Sequence, residues 1–321
     1  MANAIVTRPL AMHRQPRPLP GAIAPGSVGA MAWKPTEIPD QSGRTFVVTG
    51  ANGGLGSVTT EVLAAKGATV IMACRNTTTA QEIAARIDGD VRVAELDLSD
   101  STSIRKFADD CDAFDVLINN AGVMNLPFSR TKDGFEAQWG INHLGHFALT
   151  GLLLDRIADR VVTLASIAHL MAPKLRVDDL DYEHRRYLRG LAYAQAKLCN
   201  LMFARELQRR LSDSGSAKRS YAVHPGAAAT DLFAHTETPL DYVTKPFIRL
   251  VGHPPAMAAH STLFAATMPD ADPDVYWGPT RFFGTQGPVG KSSSTRLSKN
   301  KRLWEQLWAQ SEQRTRVTYR F

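Results

Sequence analysis

From residue 44 onward, short apolar runs rich in β-branched residues alternate with stretches whose apolar positions recur at helical spacing. The runs are 45–49, 69–73, 91–96, 116–119, 160–165 and 220–224. Each is almost continuously apolar, as in a strand covered on both faces. Residues 55–66, 78–87, 101–109, 135–157 and 191–211 read as the intervening helices, and residues 97–100 supply capping side chains ahead of the third. Repeated strand–helix–strand units predict an α/β fold. The expected form is a single doubly wound parallel sheet of about seven strands, the last near residues 275–283, with helices on both faces. Leu303, Trp304, Leu307 and Trp308 mark residues 296–313 as an amphipathic surface helix.

Composition adds boundaries to this pattern. The chain has 321 residues, 44% of them hydrophobic, enough for one large core. No run of apolar residues is long enough to span a bilayer, since Asp155, Arg156, Asp159 and Arg160 break the nearest candidate at 149–165. The net charge of +6 is concentrated at the ends: residues 1–36 and 291–321 together carry +10, so the middle carries −4. That distribution argues for solvated basic termini and against a nucleic-acid-binding face. Residues 1–36 read as a disordered N-terminal extension, 37–290 as the catalytic domain, and 291–321 as a basic C-terminal tail with its helix. Residues 1–30, rich in Pro, Gly and Ala, are expected to be dispensable or to precede the true start at Met31. An intact Met1 or Ala2 on the native protein, read by mass spectrometry, would contradict the later start. Cys74, Cys111 and Cys199 show neither a disulfide framework nor zinc spacing, which fits a reducing, cytoplasmic location. His143 and His146 share a helix face without a third ligand, so no metal is expected.

The first strand runs into Thr49-Gly50-Ala51-Asn52-Gly53-Gly54-Leu55-Gly56, followed by a helix. Glycines there let the backbone turn tightly and approach a pyrophosphate at the helix N-terminus, the mark of a Rossmann-type nucleotide site. The spacing fits T-G-x-x-x-G-x-G, and also T-G-x-x-G-x-x-G because Gly53 and Gly54 are adjacent. A carboxylate at the tip of the second strand would bind the ribose 2′-hydroxyl of NAD. This chain has Cys74 and then Arg75, whose guanidinium suits the 2′-phosphate of NADP, so NAD is the less favoured cofactor.

Tyr193 and Lys197 are four residues apart on a predicted helix, hence on one face. A neighbouring ammonium stabilises a phenolate, which is expected to lower the Tyr193 pKa and make it an acid/base group near neutral pH. Ser166, at the end of the fifth strand, can hydrogen-bond a substrate oxygen as charge develops. These residues, with Asp97-Leu98, Asn119-Asn120-Ala121-Gly122, Asn142 and Pro225-Gly226, stand in the order found in short-chain dehydrogenases/reductases. The resemblance covers residues 40–285. Asn142-His143-Leu144-Gly145-His146-Phe147 and His224-Pro225-Gly226 resemble the retinol dehydrogenase-like branch, with its WW-domain oxidoreductase and protochlorophyllide reductase relatives.

The resemblance implies hydride transfer between a nicotinamide and a carbonyl or alcohol, with Asn142, Ser166, Tyr193 and Lys197 catalytic. It implies that Asn142 holds a water linking Lys197 to solvent, and that Lys197 also binds the nicotinamide ribose. Gly50, Asn52, Gly54, Leu55 and Gly56 would hold the pyrophosphate. Asp97 and Leu98 would flank the adenine, with Asn119, Ala121 and Gly122 beside its ribose. Pro225, Gly226 and Thr230 would lie by the carboxamide or pyrophosphate. Family members are often oligomers, so a homo-oligomer is a possible partner state. Two departures stand out: Ala165 replaces a frequent Ser, and a charged insert, residues 174–189, is expected to be a solvated loop. Residues 231–257, with Leu232, Phe233, Leu240, Tyr242, Phe247 and Ile248, should form an apolar substrate lid, pointing to a hydrophobic carbonyl or alcohol. Two other readings stand beside this one: a non-catalytic NADP-binding sensor or scaffold on the same fold, and an extended-type epimerase, allowed by Gly53.

Overall fold

The computed structural model describes residues 33–226 and 255–321. Residues 1–32 of the N-terminal extension, most of the expected lid, and Thr230 lie outside them; the end of that extension is folded, with Trp33 buried in the core. Trp33–Phe321 forms one compact unit. Its sheet has strands β1 (Thr45–Thr49), β2 (Thr69–Cys74), β3 (Val91–Glu95), β4 (Phe114–Asn119), β5 (Ile157–Leu164), β6 (Arg219–Val223), β7 (Tyr276–Arg281) and β8 (Gln286–Lys291). The order is β3-β2-β1-β4-β5-β6-β7-β8, parallel except for the last pair. β8 has two glycines and a proline, so its sequence lacks a strand pattern; an edge position tolerates the missing donor of Pro288.

The helices are α1 (Gly54–Ala65), α2 (Thr77–Ala84), α3 (Ser101–Asp110), α4 (Ala137–Trp139), α5 (His146–Leu153), α6 (Arg189–Asp213), α7 (Pro255–Ala258), α8 (His260–Thr267) and α9 (Lys301–Thr315). Alternate strand residues feed opposite cores. Phe46, Val48, Met72 and Ile118 pack on the α1/α8 side, while Val47, Ala73 and Leu117 pack with Phe107, Phe147 and Phe203 on the other. Strand order reverses between β1 and β4, which opens a crevice beyond their carboxyl ends.

Three expectations change. The single helix over 135–157 is instead α4, a π-helical turn (Gly140–Gly145), α5 and a 3-10 turn, and Ile157 already belongs to β5. Where the π-helical turn meets α5 only glycine fits, since a Cβ on Gly145 would sit 2.5 Å from the Leu98 carbonyl oxygen. The charged insert is solvated only in part: Arg176, Asp178, Glu183 and Arg186 are exposed, but Leu180, Tyr182, Asp179 and Asp181 are buried. Partners neutralise the buried charges: Asp181 accepts from the Glu136 amide at 2.8 Å and pairs with Arg314, and Asp179 pairs with Arg185. The C-terminal segment is not a separate tail. Trp308 of α9 is buried against Phe147 and Tyr319, with ring centroids 5.0 and 4.5 Å away, and Tyr319 donates to the Phe147 carbonyl at 2.6 Å. The run of basic residues there concealed an apolar seam of Trp304, Leu307, Trp308, Val317 and Tyr319.

Candidate active site

The glycine-rich loop leaves β1 with Gly50 at φ 62°, and Gly54 opens α1 at φ 52°, both in the left-handed region. A Cβ on Gly56 would lie 2.4 Å from the Gly50 carbonyl oxygen. Gly53 has extended backbone and nothing within 4 Å of a Cβ. The glycines that geometry requires are therefore 50, 54 and 56, which selects T-G-x-x-x-G-x-G and removes the main support for the extended-type epimerase. Gly53 caps α1 without a side chain, which leaves the first amides of the helix free for an anion.

Thr49 anchors this loop. Its Oγ1 accepts from the Asn120 and Ala121 amides, both at 2.9 Å, and lies 2.8 Å from His146 Nε2. The His146 Nδ1 sits 3.0 Å from the Asn142 carbonyl, which can only accept, so Nδ1 carries the proton and Nε2 accepts from Thr49. Burial holds this imidazole neutral, pushing its pKa down to about 4. The other histidine, His143, stacks on Trp139 and contacts Ser311 Oγ at 2.8 Å. Both histidines thus serve packing.

The cleft beyond β1 and β4 has a volume of about 420 Å³. Gly50, Asn52, Gly54 and Leu55 line it, as do Asp97 and Leu98, Ala121 and Gly122, and Pro225. Arg75 lines it at the tip of β2, exposed and with no ion pair to another described residue; the adjacent Asn76 is spent capping α2. Gly56 acts by close packing rather than by lining. The same holds for Gly226, at φ 77°, whose missing side chain makes room for the Thr285 carbonyl.

Asn119 corrects one expectation. It is fully buried, and its Nδ2 donates to Thr150 at 3.0 Å, so it ties β4 to α5 and does not face the cleft. Its neighbour Asn120, not singled out from sequence, lines the cleft and donates to the Thr49 and Gly50 carbonyls at 2.8 and 3.3 Å. Paired asparagines at a strand end must face opposite ways, but the sequence alone does not say which faces the ligand.

Tyr193 and Lys197 reach the same cleft from α6. Tyr193 is 6% and Lys197 4% exposed. Burial pushes the tyrosine up to about 12, partly offset by a hydrogen bond with Ser166, and pushes the lysine down to about 8. The expected acidification of Tyr193 is therefore outweighed by desolvation, since the ammonium lies 5.9 Å from the ring centroid. Lys197 Nζ donates to the Leu164 carbonyl at 3.1 Å. Ser166 caps the turn after β5 by accepting from the Ala168 amide at 3.1 Å, and His169 Nδ1 donates to the Ser166 carbonyl at 2.6 Å. The side chain of Asn142 pairs with the backbone of Val123: Oδ1 accepts from the Val123 amide at 2.7 Å and Nδ2 donates to the Val123 carbonyl at 2.9 Å. It clamps the segment after β4, with one amide hydrogen and one oxygen lone pair left over.

A left-handed glycine turn, free amides at the start of α1 and an unpaired guanidinium at the tip of β2 fit a dinucleotide phosphate. The model for short chain dehydrogenases matches residues 44–177. Mouse retinol dehydrogenase 12 is 39% identical over 87% of this chain and 88% of its own length. Human retinol dehydrogenase 13 is 41% identical over 70% of this chain and 72% of its own. An uncharacterised protein from Mycobacterium paratuberculosis superposes with a TM-score of 0.79 at 44% identity, covering 90% of this chain and all of the other. A short chain dehydrogenase/reductase from Burkholderia phymatum, solved with NAD, shares the fold at a TM-score of 0.57 and 18% identity, covering 70% and 86% of the two chains. The chain thus belongs to the short-chain dehydrogenases/reductases, in their retinol dehydrogenase-like branch, and is an oxidoreductase acting on CH–OH donors.

Proposed function

We propose that the chain is an NADP-dependent oxidoreductase that interconverts an apolar carbonyl compound and its alcohol, in a reducing compartment such as the cytoplasm. The observation that carries the reading is that Tyr193 and Lys197 line the same cleft as the glycine turn and Arg75. When bound, the nicotinamide dinucleotide supplies or accepts the hydride. In the reductive direction Tyr193 gives its phenolic proton to the substrate oxygen, and Ser166 donates a hydrogen bond to that oxygen. Lys197, protonated below about pH 8, stabilises the phenolate that Tyr193 leaves behind. Arg75 takes the 2′-phosphate, Asp97 and Leu98 border the adenine, and Lys197 reaches the nicotinamide ribose. Asn142 supports the site as a clamp on Val123 and through its carbonyl. The three cysteines are unpaired, which supports the reducing compartment. Turnover of a panel of apolar aldehydes, ketones and quinones with NADPH and NADH tests the reading. Faster turnover with NADPH supports it, and dinucleotide binding without turnover of any substrate would favour the sensor instead.

A further inference from the structure

A second cavity, of about 350 Å³, lies outside the dinucleotide cleft, among α3, the π-helical turn, α5 and the end of α9. Its size falls within the range of small-molecule sites. Ile104, Leu144, Ala148, Leu152 and Val317 give it apolar walls. Three guanidiniums, Arg105, Arg314 and Arg316, line it against a single carboxylate, Asp133. That carboxylate is already engaged, accepting from the Ser101 amide at 2.8 Å and hydroxyl at 2.6 Å. Neither Arg105 nor Arg316 forms an ion pair with another described residue. Arg314 gives one Nη to Asp181. Arg316 stands at φ 55° as the left-handed cap of α9, a place that favours glycine, so this charge is held there at a backbone cost.

We propose that this cavity binds a small organic anion with an apolar body, a medium-chain carboxylate, whose head group meets the three arginines. Guanidinium and carboxylate match in geometry, and the apolar walls bury the chain. The site is also coupled to the dinucleotide cleft. Leu98 lines both, and the tight packing of Gly145 on the Leu98 carbonyl leaves that residue no slack. An occupant pressing on Leu98 therefore changes cofactor affinity, and the cofactor changes the affinity of the occupant by the same factor. This coupling rests on the dinucleotide reading; the binding does not.

Calorimetric titration of octanoate into the full chain without cofactor tests the binding. One saturable site per chain is expected, with affinity roughly tenfold or more weaker for 1-octanol and for the double variant R105Q/R316Q. Both arginines are exposed, so that variant should fold. R75Q, which alters the other cleft, should bind octanoate normally. No saturable heat, or binding that survives R105Q/R316Q, would overturn the site; binding of octyl phosphate but not octanoate would overturn the carboxylate assignment. NADPH titration with and without saturating octanoate tests the coupling, which predicts a shift of about threefold or more in apparent affinity. An unchanged NADPH affinity would overturn the coupling. Failure to bind NADPH at all would instead contradict the functional reading and leave the octanoate result standing.

Discussion

Gly56→Ala, compared with Gly53→Ala, isolates the geometry of the nucleotide turn. The Gly56 Cβ would meet the Gly50 carbonyl oxygen at 2.4 Å, Asn120 Nδ2 at 2.7 Å and Ala51 Cα at 2.8 Å. Two of these are backbone atoms, so the loop must move by about 1 Å to reach ordinary contact. Overpacking of this kind costs about 1–3 kcal/mol. Alanine regains up to about 1 kcal/mol as the better helix former. The net loss is about 1–2 kcal/mol, which lowers the melting temperature by roughly 2–6 °C for a domain of this size. Binding suffers more, because the shift displaces the backbone that meets the pyrophosphate; NADPH affinity should fall by about tenfold or more. The Gly53 position is extended with open space around it, so Gly53→Ala should change stability by no more than about 0.5 kcal/mol and leave binding intact. Thermal unfolding and NADPH titration of both variants make the comparison. Equal damage from the two, or normal NADPH binding by Gly56→Ala, would refute the assignment of the turn.

Arg75→Ala should weaken NADPH binding by about tenfold or more while leaving NADH binding unchanged; an unaltered preference between the two would remove the case for NADP. Lys197 has a folded pKa of about 8 against an ordinary value of 10.5, so at this residue the unfolded chain holds the extra proton between those pH values, and the contribution of Lys197 to stability should rise with pH across that window. Lys197→Met should remove this contribution and stabilise the fold at pH 7 by about 1–3 kcal/mol, a gap that narrows as pH rises, while activity disappears. The Leu164 carbonyl keeps its bond from Asn200 in that variant. Urea unfolding of both proteins at pH 7 and 9.5 would show a destabilised variant, or a gap that does not narrow with pH, if this account is wrong. Trp308→Ala should cost about 3–5 kcal/mol, because the indole fills the core between Phe147, Phe203 and Tyr319; a loss near zero would mean that the C-terminal segment is a tail after all.

The strand–helix alternation was legible because strands buried on both faces carry their signal in every residue, as β1, β4 and β5 do. β8 was not, because two glycines and a proline at a sheet edge leave no pattern. The folded C-terminus was obscured by net charge: its arginines and lysines dominate composition, while Trp308 and Tyr319 do the packing. The charged insert misled for the same reason, since a sequence does not show that Asp181 and Arg314, far apart in the chain, neutralise each other. At the site, the chemical groups were readable from spacing, but their electrostatics were not. The direction of the Tyr193 shift depends on how deeply the phenol is buried and how far the ammonium stands from it. Asn142 and Asn119 were placed in the right neighbourhood, yet Asn142 spends its side chain on Val123 and Asn119 on Thr150. Both are orientation effects, which residue type leaves open.

The central claim is that Tyr193 delivers the proton in carbonyl reduction. The most direct measurement is NADPH oxidation across the carbonyl panel by Tyr193→Phe beside the unaltered chain, with NADPH binding measured on both. The account predicts that the rate falls by about 10²–10⁴-fold while NADPH affinity stays within about threefold. Turnover by Tyr193→Phe at an undiminished rate would contradict it.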